Sequence, residues 1–268
     1  MTITDLALLL ATGLFAGFLG GLFGIGGGIA IVPALYAVLG ANGVPEEVRI
    51  KIAVGTSLAT IILTSIRSAQ SHFRHGNVDM DLIKGWGPFI ALGAIGGAAL
   101  ARYLEASALT LIFGGVLFAL GVHRLVTGKA TAREGAMPAP SVQRGLAAGI
   151  GTLSSLMGIG GGVLSVMVLT HGGRPVHQSI GTSAGFGLFI GLPGAVGYAI
   201  AGLGDPAIGA GTLGYVSLPA FAAIALGTVT MAPVGAKTAA RLSGVLLTRL
   251  FAGYMVVSAV LMIREAVL

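Results

Sequence analysis

Residues 6–45 read LALLLATGLFAGFLGGLFGIGGGIAIVPALYAVLGANGVP, and these 40 residues contain no Asp, Glu, Lys or Arg. One bilayer crossing needs about 20 mostly apolar residues, so the stretch is about twice as long as a single span. It is interrupted by Gly24-Ile25-Gly26-Gly27-Gly28. Because clustered glycine disfavours a continuous helix and permits left-handed backbone, the stretch predicts a long membrane helix, a break and a shorter apolar arm.

The break recurs in the second half of the chain. Gly-Ile-Gly-Gly-Gly is found again at 158–162, 134 residues later, which is half of the 268-residue length. Further matches keep the same order in both halves, so we infer an internal duplication, with a first transmembrane repeat at 1–127, a cytoplasmic linker at 128–141 and a second transmembrane repeat at 142–268. These matches are Gly55-Thr56-Ser57 with Gly181-Thr182-Ser183, Gly76 and Asp79 with Gly202 and Asp205, and Gly97-Ala98 with Gly235-Ala236.

The composition excludes a soluble protein. Hydrophobic residues make up 55% of the chain and charged residues only 9%, whereas soluble domains are roughly 25% charged. The expected fold is an all-α integral membrane protein with about 8–10 transmembrane segments. Each half has a glycine-broken helical hairpin plus three spanning helices. The ordinary spans are predicted near 50–71, 82–102, 107–126, 178–202, 212–236 and 245–264.

Residue types needed for catalysis or metal binding are scarce in the predicted spans. The chain has no cysteine, and its five histidines fall at span ends or in connections. The stretch 202–205, Gly-Leu-Gly-Asp, matches the signature of intramembrane aspartyl proteases, but no second aspartate is available at depth to share a proton. The net charge of +6 suits anchoring at the inner leaflet better than nucleic-acid binding. We therefore expect no enzyme, no metal, no cofactor and no nucleic-acid partner.

The distribution of basic residues predicts an orientation. With the linker in the cytoplasm and the second half inverted, 11 of the 15 Lys and Arg residues lie inside and 4 outside; a parallel second half gives 8 against 7. Cytoplasmic connections carry the excess of positive charge, so the sequence predicts an inverted repeat with both termini outside. Inverted repeats with broken helices are typical of secondary transporters, whose sites form where discontinuous helices meet.

The two breaks are the predicted anion site. Where a helix restarts after a break, its free N–H groups and positive dipole end can hold an anion; the alternative is that the glycines only allow tight helix packing. Hydroxyls beside the breaks add donors, unless they bond back to carbonyls of their own helix. Two cations near the spans are candidate pathway charges, unless they extend to the membrane surface. The candidate binding residues are Gly26, Gly27, Gly28, Thr56, Ser57, Gly160, Gly161, Gly162, Thr182 and Ser183, and the pathway charges are Arg67 and Lys237.

These motifs resemble the TauE/SafE sulfite exporter family, also called the 4-toluene sulfonate uptake permease family. The resemblance runs over essentially the whole chain and departs at Met167, where the first half has Pro33, so we expect the second break to be less kinked. The quoted motifs are Gly-Ile-Gly-Gly-Gly-Ile-Ala-Ile-Val-Pro-Ala-Leu at 24–35, Ala-Val-Gly-Thr-Ser at 53–57, Arg-His-Gly-Asn-Val-Asp at 74–79 and Ser-Ile-Gly-Thr-Ser at 179–183.

The resemblance implies a multi-pass carrier of the cell inner membrane that exports sulfur-containing anions such as sulfite, sulfoacetate or related organosulfonates. The partners expected are a small anionic substrate and the lipid bilayer, and alternating access at one central site is the expected mechanism. Two alternatives stay open, a passive anion channel and a membrane assembly factor. A homodimer is also left open, because glycine pairs can pack helices within one chain or between two copies.

Overall fold

The structure is a computed structural model that describes residues 2–127 and 135–267. The predicted linker at 128–141 therefore lies partly outside the described residues, as do its basic residues Lys129 and Arg133. The described residues form ten α-helices and one two-stranded hairpin. Their bounds are α1 Ile3–Phe23, α2 Gly28–Ala41, α3 Glu46–Arg74, α4 Met80–Ala101, α5 Ala106–Thr127, α6 Pro140–Met157, α7 Gly162–His171, α8 Val176–Ala201, β1 Thr212–Leu213, β2 Val216–Ser217, α9 Leu218–Ala239 and α10 Gly244–Val267.

The helices have the lengths of an all-α membrane protein, as predicted. Seven helices among the described residues are long and apolar enough to cross a membrane, namely α1, α3, α4, α5, α8, α9 and α10. Helices α2 and α7 are apolar but have only 14 and 10 residues. At about 1.5 Å per residue, α7 is roughly half as long as the hydrocarbon core is thick. Both short helices directly follow the glycine breaks.

One predicted span is wrong at its start. The span expected at 212–236 begins six residues later, because β1 and β2 occupy 212–217 as an antiparallel hairpin. Gly214 adopts a left-handed φ of 53° at the turn, a conformation that glycine adopts without steric cost. The Ser217 hydroxyl then accepts a hydrogen bond from the Ala220 N–H and caps α9. A helix can begin only after this turn, which apolar content alone does not reveal.

Helices α3 and α8 form the centre of the bundle and run antiparallel. Gly187 of α8 lies against Ser65 of α3, while Gly191, one turn further along, lies against Leu58. Both helices carry long buried segments. Glycine lets their backbones approach closely. Because lipid is as apolar as the helix surfaces, membrane helices associate by such close packing rather than by the hydrophobic effect.

The outer helices pair in a pattern that is matched between the two halves. Helix α1 packs parallel to α9, with Gly13 against Ile224 and Gly17 against Thr228. The corresponding pair, α6 with α4, is also parallel, since Ala148 lies against Gly93 and Thr152 against Gly97. Helix α5 packs antiparallel to α10. Each of these two pairs therefore joins the first helix of one half to the fourth helix of the other half.

The surface of the bundle is apolar, as a lipid-facing surface must be. Large side chains such as Leu92, Leu192 and Leu226 are each 52–63% exposed. A groove of about 740 Å³ lies between α4 and α8 and is lined by residues such as Ile95 and Val196. Its walls suit acyl chains rather than an anion, and it does not include residues of the glycine breaks.

Candidate functional site at the paired glycine breaks

Both predicted breaks are present. Helix α1 ends at Phe23 and α2 starts at Gly28; helix α6 ends at Met157 and α7 starts at Gly162. The residues that precede the two short helices, Gly27 and Gly161, have φ of 85° and 75°. A side chain with a Cβ disfavours this left-handed conformation. Pro33 lies inside α2 and does not end the helix. The expectation that the second break is less kinked than the first stays a prediction.

The two breaks lie side by side and run in opposite directions. Gly24 lies against Gly162, and Gly28 lies against Gly158. Between these contacts, the Gly160 N–H donates a 2.9 Å hydrogen bond to the Ile25 carbonyl. Residues 24–29 and 158–163 are all buried. Loops that are 134 residues apart in sequence thus form one compact element.

This element lies halfway along the central helices. Gly26 packs against the Ile61 side chain, near the middle of α3. The Gly160 carbonyl lies near Gly187, close to the middle of α8. Since α3 and α8 are both long enough to span a bilayer, the breaks are placed where discontinuous helices of transporters hold their substrates.

Unpaired backbone donors are concentrated here. The N–H groups of Gly26, Gly27, Gly28, Gly161 and Gly162 donate no hydrogen bond to any described residue. Buried N–H groups are nearly always paired in proteins. These five lie at the starts of α2 and α7, where the helix dipoles add positive potential. The Gly160 N–H, another predicted donor, is instead engaged with Ile25 in this conformation.

The four predicted hydroxyls have different surroundings. The Thr56 hydroxyl accepts a 2.9 Å hydrogen bond from the Ser217 N–H, and the Thr182 hydroxyl accepts one of 2.9 Å from the Asp79 N–H. Each threonine therefore ties the start of a neighbouring helix, α9 or α4, to the central helices.

The serines that follow these threonines are not equivalent to each other. Ser57 donates a 2.7 Å hydrogen bond to the Gly158 carbonyl, on the second break. Ser183 is fully buried, and its hydroxyl has no partner among the described residues. Ser183 is thus the predicted hydroxyl that neither donates nor accepts a hydrogen bond among the described residues.

Sequence reasoning missed two further serines. Ser154 and Ser165 flank the second break and are both fully buried. Neither recurs in the first half, where the equivalent positions are Gly20 and Ile31. They are therefore not among the residues that the two halves share. The signal in the sequence is the position of the two serines, each within one helical turn of the second break.

The candidate pathway charges lie elsewhere. Arg67 and Lys237 are both exposed, unlike the breaks, and a pathway role for them remains a prediction. Among Asp, Glu, Lys, Arg and His side chains of the described residues, His72 is the buried one, at 1% exposure. Its Nε2 lies 2.8 Å from the Gly21 carbonyl. Because a carbonyl only accepts, we assign the hydrogen to Nε2.

Two equivalent aspartates hold polar contacts at the ends of the bundle. Asp79 forms a 3.2 Å ion pair with Arg174. Asp205 accepts a 2.7 Å hydrogen bond from the Tyr215 hydroxyl, and this bond holds the pKa of Asp205 below its usual value. Burial, and secondly the bond to Asp205, raises the pKa of Tyr215 to about 12. No cluster of His, Asp and Glu suited to a metal ion is found in the part of the chain that the structure describes.

Comparison with known proteins agrees with this architecture. The family model described as "Sulfite exporter TauE/SafE" matches residues 9–262. This chain belongs to the TauE/SafE family. A probable membrane transporter protein of Haemophilus influenzae is 36% identical over 260 residues, covering 96% of this chain and 97% of the relative. A probable membrane transporter protein of Methanocaldococcus jannaschii is 29% identical over 248 residues, covering 89% and 88%.

The family assignment and the fold together define the protein at a coarse level. The predicted resemblance to the TauE/SafE family is confirmed, and this TauE/SafE protein is a multi-pass membrane transporter whose expected location is the inner membrane. No solved structure matches the chain significantly.

Proposed function

We propose that this TauE/SafE protein exports sulfur-containing anions, such as sulfite, sulfoacetate or related organosulfonates, by alternating access at one central site. One observation carries the proposal. Five unpaired N–H groups, at Gly26, Gly27, Gly28, Gly161 and Gly162, are buried where two broken helices meet at the middle of α3 and α8.

The chemistry of this site favours an anion. Backbone N–H groups at helix starts donate to oxyanions and add the positive dipole end. Buried N–H groups need acceptors, and sulfonate or sulfite oxygens are strong ones. No Lys or Arg of the described residues is buried, so the anion is attracted by dipoles and released without breaking an ion pair. Such weak, shared binding suits a carrier, which must release its substrate.

The course of the helices supports an inverted repeat. Helices α3 and α8 hold equivalent positions in the two halves and run antiparallel. Helices α5 and α10 are likewise equivalent and antiparallel, with Gly114 against Ile263 and Gly121 against Val256. We therefore keep 1–127 and 142–268 as the two repeats, joined by the cytoplasmic linker at 128–141. Rocking of one repeat against the other would expose the central site to each side in turn.

The membrane potential favours export. An inside-negative potential drives each negative charge outward with about 2.3 kcal/mol per 100 mV. An exported anion therefore needs no further coupling ion.

The test is efflux from liposomes loaded with labelled sulfite or sulfoacetate. A carrier gives a rate that saturates with concentration and is stimulated by substrate on the opposite side. Flux that rises linearly with concentration, without such exchange, would indicate a passive channel instead. Purified protein whose melting temperature is unchanged by any sulfur oxyanion would contradict transport of these anions and favour an assembly factor.

A further inference from the structure

We propose that the oxyanion head group is held mainly by the second half of the protein, at the start of α7, with the hydroxyls of Ser154 and Ser165 as its side-chain donors. This inference rests on the proposed function and names two residues that the internal repeat does not single out. It also makes the central site asymmetric.

The geometry places both hydroxyls at one point. A Cβ built on Gly161 would lie 3.7 Å from the Ser165 Oγ and 3.8 Å from the Ser154 Oγ. Ser154 belongs to α6, before the break, and Ser165 to the first turn of α7, after it. The two side chains therefore come from before and after the break in sequence and meet beside Gly161. The unpaired N–H groups of Gly161 and Gly162 belong to the same helix start.

Both hydroxyls lack a protein partner. Ser154 and Ser165 are each 0% exposed, and neither Oγ has a hydrogen-bond partner in the described chain. A buried hydroxyl without a partner destabilises a fold. Two of them, beside two unpaired N–H groups, form a set of four donors around one helix start. An oxyanion supplies the acceptors that such a set lacks.

The first half has no such arrangement. The positions equivalent to Ser154 and Ser165 are Gly20 and Ile31. Thr64 packs against Gly20, but its hydroxyl donates to the Thr60 carbonyl at 3.0 Å. The start of α2 therefore offers backbone donors alone, whereas the start of α7 offers backbone and side-chain donors together.

The remaining side of Gly161 is apolar. The Cδ1 atom of Ile190, a fully buried residue, lies against Gly161. An apolar wall excludes water and strengthens the interaction of the donors with a negative charge.

The experiment compares anion binding by the double variant Ser154→Ala/Ser165→Ala with anion binding by the single variant Ser155→Ala. Ser155 is a matched control, because it is also fully buried and unpartnered but lies against Gly97 and Gly194 of the packed helices α4 and α8. Binding is measured by titration calorimetry with sulfite, thiosulfate, sulfate and sulfoacetate, using the anion that the wild type binds most tightly. Since hydrogen bonds to charged groups are the strong ones and the double variant lacks two of them, we expect it to bind at least roughly 100-fold more weakly. The Ser155→Ala control should bind like the wild type.

A second measurement separates binding from folding. Removing an unpaired buried hydroxyl should leave the melting temperature of the anion-free protein unchanged or higher, while the increase caused by the anion becomes smaller. If the double variant does not fold, each single variant is tested in the same way. Wild-type affinity in the double variant, combined with lost binding in Gly161→Leu, would overturn this inference and leave the proposed function standing. A wild type that binds none of the four anions would instead contradict the proposed function itself.

Discussion

The Gly160 N–H donates a 2.9 Å hydrogen bond to the Ile25 carbonyl and so joins the two broken helices directly. The equivalent bond, from the Gly26 N–H to the Ile159 carbonyl, is not formed. The pair of breaks is thus asymmetric in this conformation, although the sequence motif is identical in both. Ser57 and Ser183 show the same asymmetry, since Ser57 is bonded to the opposite break and Ser183 is unpaired.

Substitution of the glycines at the helix starts should abolish transport. In Gly161→Leu the new side chain would collide with Ile190, and in Gly27→Leu the Cβ would lie 2.7 Å from the Ala16 carbonyl oxygen. Displacing two charge-assisted hydrogen bonds, worth about 1.5–3 kcal/mol each, weakens anion binding by at least roughly 100-fold. Efflux from loaded liposomes measures the loss.

Gly96→Leu is the matched control for these glycine variants. Gly96 lies within an apolar helix, α4, and a Cβ there meets nothing within 4 Å. Anion efflux through the Gly96→Leu variant should equal that of the wild type. All variants should elute from a size-exclusion column as folded protein. Wild-type efflux in a folded Gly27→Leu or Gly161→Leu variant would contradict the site.

Loss of the helix-tying threonines should lower stability. Thr56→Val and Thr182→Val each leave a backbone N–H, that of Ser217 or Asp79, without its acceptor. We expect a loss of about 1–3 kcal/mol in the free energy of unfolding, measured by titration with a denaturing detergent. Replacement by serine keeps the hydroxyl and should restore much of the loss.

The threonine variants also test the predicted anion role of these hydroxyls. A hydroxyl that accepts from an N–H still has its own hydrogen to donate. If Thr56 or Thr182 donates to the anion, the valine variant binds the anion more weakly as well as unfolding more readily. The control is Thr238→Val, since the Thr238 hydroxyl bonds only the Val234 carbonyl of its own helix.

The Asp205–Tyr215 contact should give a defined pH dependence of stability. The folded pKa of Asp205 is lowered, so its contribution is present above the ordinary value of 3.8 and is lost as the pH falls through the lowered pKa. The folded pKa of Tyr215 is raised, so its contribution is present below 10.0 and is lost as the pH rises through about 12.

Tyr215→Phe removes this contact. At neutral pH the variant should be less stable than the wild type by about 1 kcal/mol. The difference should disappear below the lowered pKa of Asp205 and above the raised pKa of Tyr215. Thermal unfolding across the pH range measures it, with Tyr103→Phe as the control because Tyr103 is 81% exposed. A difference that does not change with pH would show that packing of the ring, rather than its hydroxyl, is responsible.

The absence of cysteine makes the orientation directly testable. Single cysteines at Glu47, Arg74 and Arg241 would lie at exposed positions near helix ends. With a maleimide that does not cross membranes, spheroplasts should label Glu47→Cys, while Arg74→Cys and Arg241→Cys should react only after lysis. Labelling of Arg241→Cys in intact spheroplasts would place the second half parallel to the first and contradict the inverted repeat.

The membrane class, the two breaks and the family follow from the sequence alone, because they depend on local properties. The length of a charge-free run predicts a span, as at 6–45, and clustered glycine predicts where a helix stops. Duplication is visible for the same reason, since equal motifs recur at equal spacing. The predicted start of α9 is wrong because the short hairpin at 212–217, like most of the helix that follows it, contains no Asp, Glu, Lys or Arg, so the charge-free run does not separate them.

Only the tertiary structure decided which polar groups are free. The hydrogen bond of Ser57 spans 101 residues, and those of Thr182 and Thr56 span 103 and 161. A partner so distant in sequence cannot be inferred from local pattern, because the approach of the two groups depends on the packing of several helices. The same packing leaves Ser154 and Ser165 buried and unpaired at the start of α7, although nothing in the repeat distinguishes them.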